Sequence, residues 1–590
     1  MLKNEILKYY FQNMKKINRQ IAFFVLFLFF LNLFPLPQKT FGAWREPVRA
    51  KHGIVASQHE LASQIGVEVM KNGGNAVDAA VAVAFALAVV YPEAGNLGGG
   101  GFMLIRFKDG KTAAIDYREM APLAANRNIF VDKEGNLIKG EGSSTVGYRA
   151  SGVPGTPAGL DLAYQKFGSK RILFKDLIEP ARLLAQNGYV LSYRLTELFK
   201  SYKDTLEKYD DSKRIFLNGG KMFAEGDILK QPELAQTLGR MQKFGAKEFY
   251  TGKTAQLIAE DMKRNNGLIT LEDLKNYQAK ERTPLQGTYR GYPIITMPPP
   301  SSGGIVMLQV LNMLENYDLR KMGYNSAQKY HILAEAMRRA FADRAEFMGD
   351  PDFAKVPTAQ LIDKNYAKQR AGTINLTQAS KSTDIKAGEI TFSEGTETTH
   401  FTVVDGDGNV VTNTYTINDL YGSRVTAKGT GVLLNDEMDD FAARPGKPNL
   451  YGLIQGENNS VQPKKRPLSS MTPTIVLRKD GSAWFALGAR GGPRIITAVL
   501  QSVINMIDYD MNIQQAIDAP RIHQQWFPDE VLYEPLGMSP DTLKILENLG
   551  QTFAARPANI ASATGIAIEE KTGVKFGAID SRSDGEAIGY

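Results

Sequence analysis

Apolar residues recur at helical spacing from Val55 through Met70 and stop at Gly73-Gly74, which predicts an amphipathic helix over that span. The next run, Ala76 to Val90 (AVDAAVAVAFALAVV), is apolar on nearly all sides. A membrane span needs about 20 such residues, so this shorter run predicts a helix buried in protein. It ends at Tyr91-Pro92. Strand patterns follow at Gly101 to Phe107 and Lys111 to Tyr117, a hairpin over Lys108-Asp109-Gly110. Residues 150 to 280 alternate helical patterns with Gly and Pro punctuation. A helix opens near Ile305 after Pro298-Pro299-Pro300-Ser301-Ser302-Gly303-Gly304, and Asn325-Ser326 caps a long amphipathic helix carrying Glu335, Arg338 and Arg339. The polar stretch from about Thr373 to Glu397 reads as a flexible connector. Strands are expected at Thr474 to Leu477 and Ala483 to Leu487, then a helix from Arg494 to Met506 with Pro493 at its first position.

The pattern is sharpest between Glu397 and Asn418, ETTHFTVVDGDGNVVTNTYTIN. Two runs rich in Thr, Val, Phe and Tyr flank Asp405-Gly406-Asp407-Gly408-Asn409, which predicts paired strands joined by a glycine-containing turn. With the turn centred on Asp407, Val404 faces Val410, Val403 faces Val411, and Thr398 faces Thr416. Directly opposed residues hold their Cβ atoms roughly 4.5 to 5.5 Å apart, so the two hydroxyls come within hydrogen-bonding reach. Threonine is common in strands, so the pair needs further support before it carries chemistry.

Composition narrows the chemistry. At 590 residues, with 43% hydrophobic and 23% charged positions, the chain can bury a large core and is neither disordered nor collagen-like. There is no cysteine, which excludes thiol nucleophiles, disulfides and Cys-based metal centres. His52, His59, His331, His400 and His523 show no ligand spacing, so no metal is expected. Lys3, Lys8, Lys15, Lys16 and Arg19 precede the apolar run Ile21 to Phe34, and Pro35 and Pro37 end it; Thr40 and Gly42 permit cleavage before Ala43. Residues 1–42 therefore read as an export signal, with Met14 as an alternative start. Without that leader 64 basic residues face 62 acidic ones, and the net charge falls from +7 to +2. A nearly neutral mature chain argues against a nucleic-acid partner, and Lys464-Lys465-Arg466 is expected to be a solvated loop.

Several loops carry candidate chemistry. Gly98 to Gly101 lead into a strand without a following Gly-Lys-Ser/Thr, so tight backbone packing is expected there and not a phosphate cradle. Gly252-Lys253-Thr254 only imitates the end of a phosphate-binding motif. Arg118 directly follows a strand and has two readings, a surface ion pair or a two-pronged grip on a carboxylate. Gly491 and Gly492 precede a helix and offer backbone N–H groups to a developing oxyanion, or form a plain strand-to-helix turn. The acidic run Asn435-Asp436-Glu437-Met438-Asp439-Asp440 is followed by a Pro- and Gly-rich loop from Arg444 to Ile454 carrying Tyr451.

Taken in order, GNLGGGGFM, IDYREMAP, PPPSSGG, TTHFTVVDGDGNVVTNTYTIN, LLNDEMDDF, KRPLSSMTPTIV, GGPRIITAVLQ and DGEAIGY resemble a γ-glutamyltranspeptidase of bacterial type, over essentially the whole chain after the leader. The resemblance implies an α+β fold, the four-layer αββα sandwich of the N-terminal nucleophile hydrolases. It implies a precursor that cuts itself between Glu397 and Thr398 into a large subunit (43–397) and a small subunit (398–590), which pair as a heterodimer. Thr398 then becomes both the N-terminus and the nucleophile, with Thr416 orienting it. Arg118, Ser469 and Ser470 would hold the α-carboxylate of a γ-glutamyl group, and Asn418, Glu437 and Asp440 its α-ammonium. Gly491 and Gly492 would form the oxyanion hole, and Tyr451 would sit in the lid that some bacterial members have. Pro493 stands where some relatives have Ser, and Glu437 where some have Gln.

The chemistry of the residues agrees. A threonine hydroxyl needs a base, and a freed α-amine with a pKa of about 8 supplies one on the same residue. The expected substrates are glutathione and other γ-glutamyl compounds, with water, amino acids or dipeptides as acceptors and no cofactor. Export to the periplasm is expected, with secretion or a signal-anchored form as alternatives and no stable membrane span after signal removal. Two other readings stand beside this one. A glutaryl or poly-γ-glutamyl acylase would share Thr398 and the glycine turn without needing Glu437 and Asp440; a non-catalytic exported binding protein would need no cleavable Glu397-Thr398 junction.

Overall fold

The hairpin predicted around Asp407 is the centre of the molecule. In the computed structural model, which describes residues 44–388, 398–444 and 456–590, strands Thr399–Val404 and Val410–Thr416 pair antiparallel with Val404 opposite Val410 and Val403 opposite Val411. The last pair of this ladder is Thr399 with Tyr415, and continuing the register by one residue sets Thr398 across from Thr416. The Asp405 carboxylate closes the turn by accepting the amides of Asp407 at 3.0 Å and Asn409 at 2.9 Å.

This hairpin occupies the middle of a seven-stranded antiparallel sheet. The order is Glu586–Gly589, Ile54–Ser57, Thr399–Val404, Val410–Thr416, Gly100–Arg106, Thr112–Asp116 and Lys280–Arg282. A second seven-stranded sheet runs Val48–Ala50, Lys575–Ile579, Ser562–Ile568, Ala483–Arg490, Thr474–Leu477, Tyr292–Thr296 and Leu285–Tyr289. The period-two alternation of the strands sends one set of side chains to each face. Phe401, Val403, Val411 and Tyr415 pack with helices Glu60–Lys71 and Ala76–Val90. Ile54, Phe102, Leu104, Val404 and Val410 meet Leu487, Ala489 and Ile566 of the second sheet, whose other side is covered by helices Gly303–Leu314, Ala327–Phe347 and Arg494–Asp508. The result is the four-layer αββα sandwich, within a compact unit spanning Glu46–Tyr590. No helix among the described residues is long and apolar enough to cross a membrane.

Ala76–Val90 is a fully buried helix, as its pattern predicts, and Asn75 caps it with a reciprocal Asp78 contact. The glycines 98 to 101 pack as expected: a Cβ at residue 99 would lie 1.9 Å from the Thr416 carbonyl oxygen, and one at residue 101 would lie 2.4 Å from the Tyr415 Cβ.

Five expectations are corrected. Val55 lies in a strand, Ile54–Ser57, and the helix begins only at Glu60, where His59 accepts the Leu61 amide; apolar spacing alone cannot tell four buried strand residues from a first helical turn. The helix Ala327–Phe347 is buried on nearly all sides and not amphipathic. Its charged residues face inward because they hold the segment expected to be flexible: Ser380 donates to Glu335 at 2.6 Å, Arg339 donates to the Thr373 carbonyl at 2.7 Å, and the Gly388 amide donates to Asp343 at 2.9 Å. That connector is thus pinned as far as Gly388. Lys465 and Arg466 are buried, not solvated, since Arg466 bonds Asp116 at 2.6 Å and Lys465 bonds the Ser460 carbonyl at 3.0 Å. Arg118, finally, is wholly buried, which removes the surface ion pair. The leader, Glu397 and Tyr451 lie outside the described residues.

Candidate active site

Thr398 lies at the start of the central strand, 3% exposed, on the face that looks into the space between the sheets. Two residues on, His400 shares that face. Its ring contacts Thr414 at 2.8 Å and Thr402 and Thr412 at 3.1 Å, and burial pulls its pKa down to about 3, so it is neutral. The ring lies against Gly488, where a Cβ would come within 2.3 Å of His400 Cε1. The strand Ala483–Arg490 therefore passes beneath the hairpin before it reaches Gly491 and Gly492.

Thr416 is held from both sides. Its hydroxyl accepts the Asn418 amide at 2.8 Å, and its carbonyl accepts the Asn96 side chain at 2.8 Å. Across the ladder it faces Gly100, which has no side chain; a Cβ there would lie 2.4 Å from the Tyr117 carbonyl and 2.7 Å from the Glu119 carboxyl. This contact joins the threonine pair to the strand Thr112–Asp116 and so to Arg118.

Arg118 gathers most of the remaining candidates. Its guanidinium donates to the carboxylates of Glu437 and Asp440, to the Pro467 carbonyl at 3.1 Å and to the Leu468 carbonyl at 3.0 Å. The last two contacts fix the backbone immediately before Ser469 and Ser470. The Ser469 carbonyl accepts from Ser302 at 2.7 and 2.8 Å, and the Ser470 hydroxyl accepts from Arg344 at 3.2 Å. Glu437 and Asp440 stand on one turn, Glu437–Asp440, reached through the short strand Val432–Leu433 and set by Asn435, which accepts the Glu437 amide at 2.9 Å.

The electrostatics of this cluster are unusual. Arg118 contacts three buried acids, Glu119, Glu437 and Asp440. Burial drives the Glu437 carboxyl well above the ordinary range despite the opposing pull of Arg118, and it raises Glu119 to about 7. Asp439, one residue away, is raised to about 7, again by burial, while Ser144 donates to it and opposes the shift. Five buried acceptor atoms here have no donor among the described residues: Glu119 Oε1, Asn418 Oδ1, Glu437 Oε2, Asp439 Oδ2 and Asp440 Oδ1. Buried acceptors are normally satisfied, so this arrangement suits a ligand rich in N–H donors and positive charge.

At the other end of the strand that carries Gly488, Gly491 takes φ +129° and Gly492 φ +62° before the helix Arg494–Asp508. A Cβ at Gly491 would lie 2.8 Å from the Ala561 Cα, so both conformation and space require glycine there. Among the described residues no group takes either amide N–H.

The structure thus gathers Glu437, Asp440 and the backbone leading to Ser469-Ser470 around the Arg118 guanidinium, and the strand register continues to set Thr398 across from Thr416. Sequence reasoning missed Glu119, Asn96, Ser302 and Arg344. Glu119 carried a signal, an acid beside a candidate clamp, whereas the others are legible only through contacts distant in sequence.

The model of the γ-glutamyltranspeptidase family matches residues 62–590. The glutathione hydrolase proenzyme of Escherichia coli is 49% identical over 561 residues, covering 94% of this chain and 95% of that protein. The crystal structure of Helicobacter pylori γ-glutamyltranspeptidase is 47% identical, with a TM-score of 0.55, covering 59% of this chain and 97% of that one. A cephalosporin acylase from Bacillus halodurans superposes with a TM-score of 0.82 at 25% identity, covering 94% of this chain and 99% of that one.

Proposed function

The chain belongs to the γ-glutamyltranspeptidase family, and from that premise we propose that it is an autoprocessing enzyme that cleaves the γ-glutamyl amide of glutathione and related compounds through an ester on Thr398. The observation that carries this reading is the set of unmatched acceptors on Asn418, Glu437 and Asp440 beside Arg118. The head of a γ-glutamyl group is a zwitterion. Its ammonium supplies three N–H donors to those acceptors, and its carboxylate meets Arg118, Ser469 and Ser470. A glutaryl group has no ammonium, so an acylase reading leaves the three oxygens without a donor.

Chemistry follows from the ends of the two central strands. In the precursor the Thr398 hydroxyl attacks the Glu397 carbonyl, the C–N bond breaks as an ester forms and frees the Thr398 α-amine, and hydrolysis of that ester releases the Glu397 carboxylate and restores the Thr398 hydroxyl. That amine then acts as base on its own hydroxyl. The Thr398 oxygen adds to the γ-carbonyl of the donor, its proton passes to the α-amine and on to the departing amine, and the γ-glutamyl ester remains. Gly491 and Gly492 hold the oxyanion during addition, a contribution of roughly 3 to 4 kcal/mol for one well-placed donor. Thr416 keeps the Thr398 hydroxyl oriented from the facing strand. Water or an amino acid or dipeptide then takes the acyl group. The leader 1–42 delivers the precursor to the periplasm, where the large and small subunits stay paired. A nearly whole Helicobacter pylori chain that matches 59% of this one supports a mature enzyme in two pieces.

A denaturing gel of the mature protein with N-terminal sequencing, run beside an assay with γ-glutamyl-p-nitroanilide, tests this. Two bands, the smaller beginning at Thr398, and release of p-nitroaniline are expected. A single uncut band, or no release from a fully cut protein, overturns the reading.

A further inference from the structure

A cavity of about 440 Å³ lies where the helix Ala76–Val90 ends against the short strand Tyr189–Val190. Pockets for small ligands fall in the range of roughly 300 to 1,000 Å³, so this one has room for an occupant. None of Thr398, Thr416, Gly491 and Gly492 lines it. It is a site apart from the nucleophile.

Three of its buried side chains carry polar atoms without partners. Gln58 is 1% exposed, and among the described residues neither its amide oxygen nor its amide nitrogen is bonded. Glu93, equally buried, accepts from Arg194 at 2.7 Å through one carboxylate oxygen, and its other oxygen has no donor among the described residues. The Tyr189 hydroxyl is buried and unmatched as well, and burial holds its pKa well above the ordinary value, so it stays a donor. Buried polar groups are normally satisfied, so three such side chains at one cavity point to a ligand that supplies both N–H groups and carbonyls.

A carboxamide presents its oxygen and an N–H on one planar edge. In an extended chain the N–H and carbonyl of one residue point to the same side, which is how a strand exchanges two bonds with a single partner residue. Gln58 therefore matches one residue of an extended peptide, while Glu93 offers an acceptor and Tyr189 a donor to further groups along it. The rim agrees. Tyr189–Val190 pairs only with Ile228–Leu229 among the described residues, and Val190 is 64% exposed at an edge open to another strand. Charge sets the sign of the occupant: Glu60, Glu93, Glu225 and Asp584 face one guanidinium, that of Arg194, and His59 adds no charge because burial pulls its pKa down to about 4.

We propose that this cavity and its rim bind an extended peptide segment bearing arginine or lysine side chains, with its backbone held by Gln58 and its charges drawn by the exposed acids Glu60, Glu225 and Asp584. Binding there is non-covalent and does not depend on γ-glutamyl transfer.

Titration calorimetry of the mature protein with acetyl-Ala-Arg-Ala-Arg-amide tests this, since that peptide has no amine to accept an acyl group and no γ-glutamyl group to donate. Wild type should bind it saturably and bind acetyl-Ala-Glu-Ala-Glu-amide roughly tenfold more weakly. Gln58→Leu should weaken the arginine peptide about tenfold through the loss of two hydrogen bonds. Its Tm should hold or rise, because the substitution removes a buried carboxamide that the chain itself leaves unmatched. Asp584→Lys, at an exposed position where folding is not at stake, should weaken the arginine peptide by about threefold. Hydrolysis of γ-glutamyl-p-nitroanilide should be the same in both variants as in wild type. No saturable binding of the arginine peptide, equal binding of the two peptides, or binding that both substitutions leave alone overturns the proposal. A clear fall in the Tm of Gln58→Leu makes its amide structural and overturns it too, and a loss of hydrolysis together with peptide binding overturns the separateness of the site. Failure of the γ-glutamyl reading shows only in the anilide assay and leaves the calorimetry to decide this one.

Discussion

Asp440 accepts a hydrogen bond from Arg118, a residue 322 positions earlier in the chain, inside a pocket where both are buried. The proposed carboxylate grip and ammonium grip are therefore one ion-paired cluster. An α-amino acid head group enters it by exchange: its carboxylate takes over contacts of Arg118 while its ammonium takes over contacts of Asp440 and Glu437. Because opposite charges replace opposite charges, the buried cluster stays compensated throughout. Leaving one such charge unpaired costs about 3 to 5 kcal/mol.

Asp440→Asn removes one partner of that exchange. Catalytic efficiency toward a γ-glutamyl anilide should fall by about 2 kcal/mol, roughly 30-fold. A glutaryl anilide lacks the ammonium and should be a very poor substrate of wild type; its carboxylate meets an Arg118 released from Asp440, so the gap between the two substrates should narrow. Measuring kcat/KM for both amides on both processed proteins decides the matter. Equal losses would make Asp440 a purely structural residue.

Arg118→Lys keeps the charge but cannot reach two carboxylates and the Pro467 and Leu468 carbonyls together. KM for the γ-glutamyl anilide should rise about tenfold, the scale of one lost charge-assisted hydrogen bond, while self-cleavage continues. An unchanged KM would remove Arg118 from the donor pocket.

Thr398→Ala should remain a single chain, because the hydroxyl that attacks Glu397 is gone. Thr398→Ser retains a hydroxyl at the same place and should still be cut. Splitting of the alanine variant at that bond, read by N-terminal sequencing, would end the self-cleavage mechanism.

The Glu119 carboxyl is raised by burial from its ordinary 4.5 to about 7 in the folded chain. Between those values the folded protein keeps a proton that the unfolded chain has released. Its contribution to stability is thus fully present below pH 4.5 and is lost as pH climbs to about 7. Glu119→Gln should flatten the fall in Tm between pH 5 and pH 7 by thermal melts; an identical pH slope in both proteins would show that Glu119 does not titrate there.

Gly99→Ala would push a methyl group into the Thr416 carbonyl, since a Cβ there lies 1.9 Å away. Stability should fall by about 1 to 3 kcal/mol, the usual cost of overpacking, and self-cleavage should slow because the Thr416 strand shifts. Gly372→Ala, at a helix end where a Cβ meets nothing within 4 Å, should stay within about 0.5 kcal/mol of wild type. Equal melting of both variants would contradict the packing described here.

Sequence by itself determined what depends on near neighbours. The period of two around Asp405-Gly406-Asp407-Gly408-Asn409 set the register that puts Thr398 across from Thr416, because a slip of one residue would turn Phe401 and Val403 away from the helix layer. The all-round apolarity of Ala76–Val90 likewise allowed only burial. Tertiary structure alone decided the fate of the charges. Arg466 and the arginines of Ala327–Phe347 read as surface groups, and Arg118 as either a surface pair or a carboxylate grip, until Asp116, the segment beginning at Thr373 and Asp440 are brought to them. The physical reason is that burial of a charge is settled by a partner, and these partners lie tens to hundreds of residues away, where no local pattern records them.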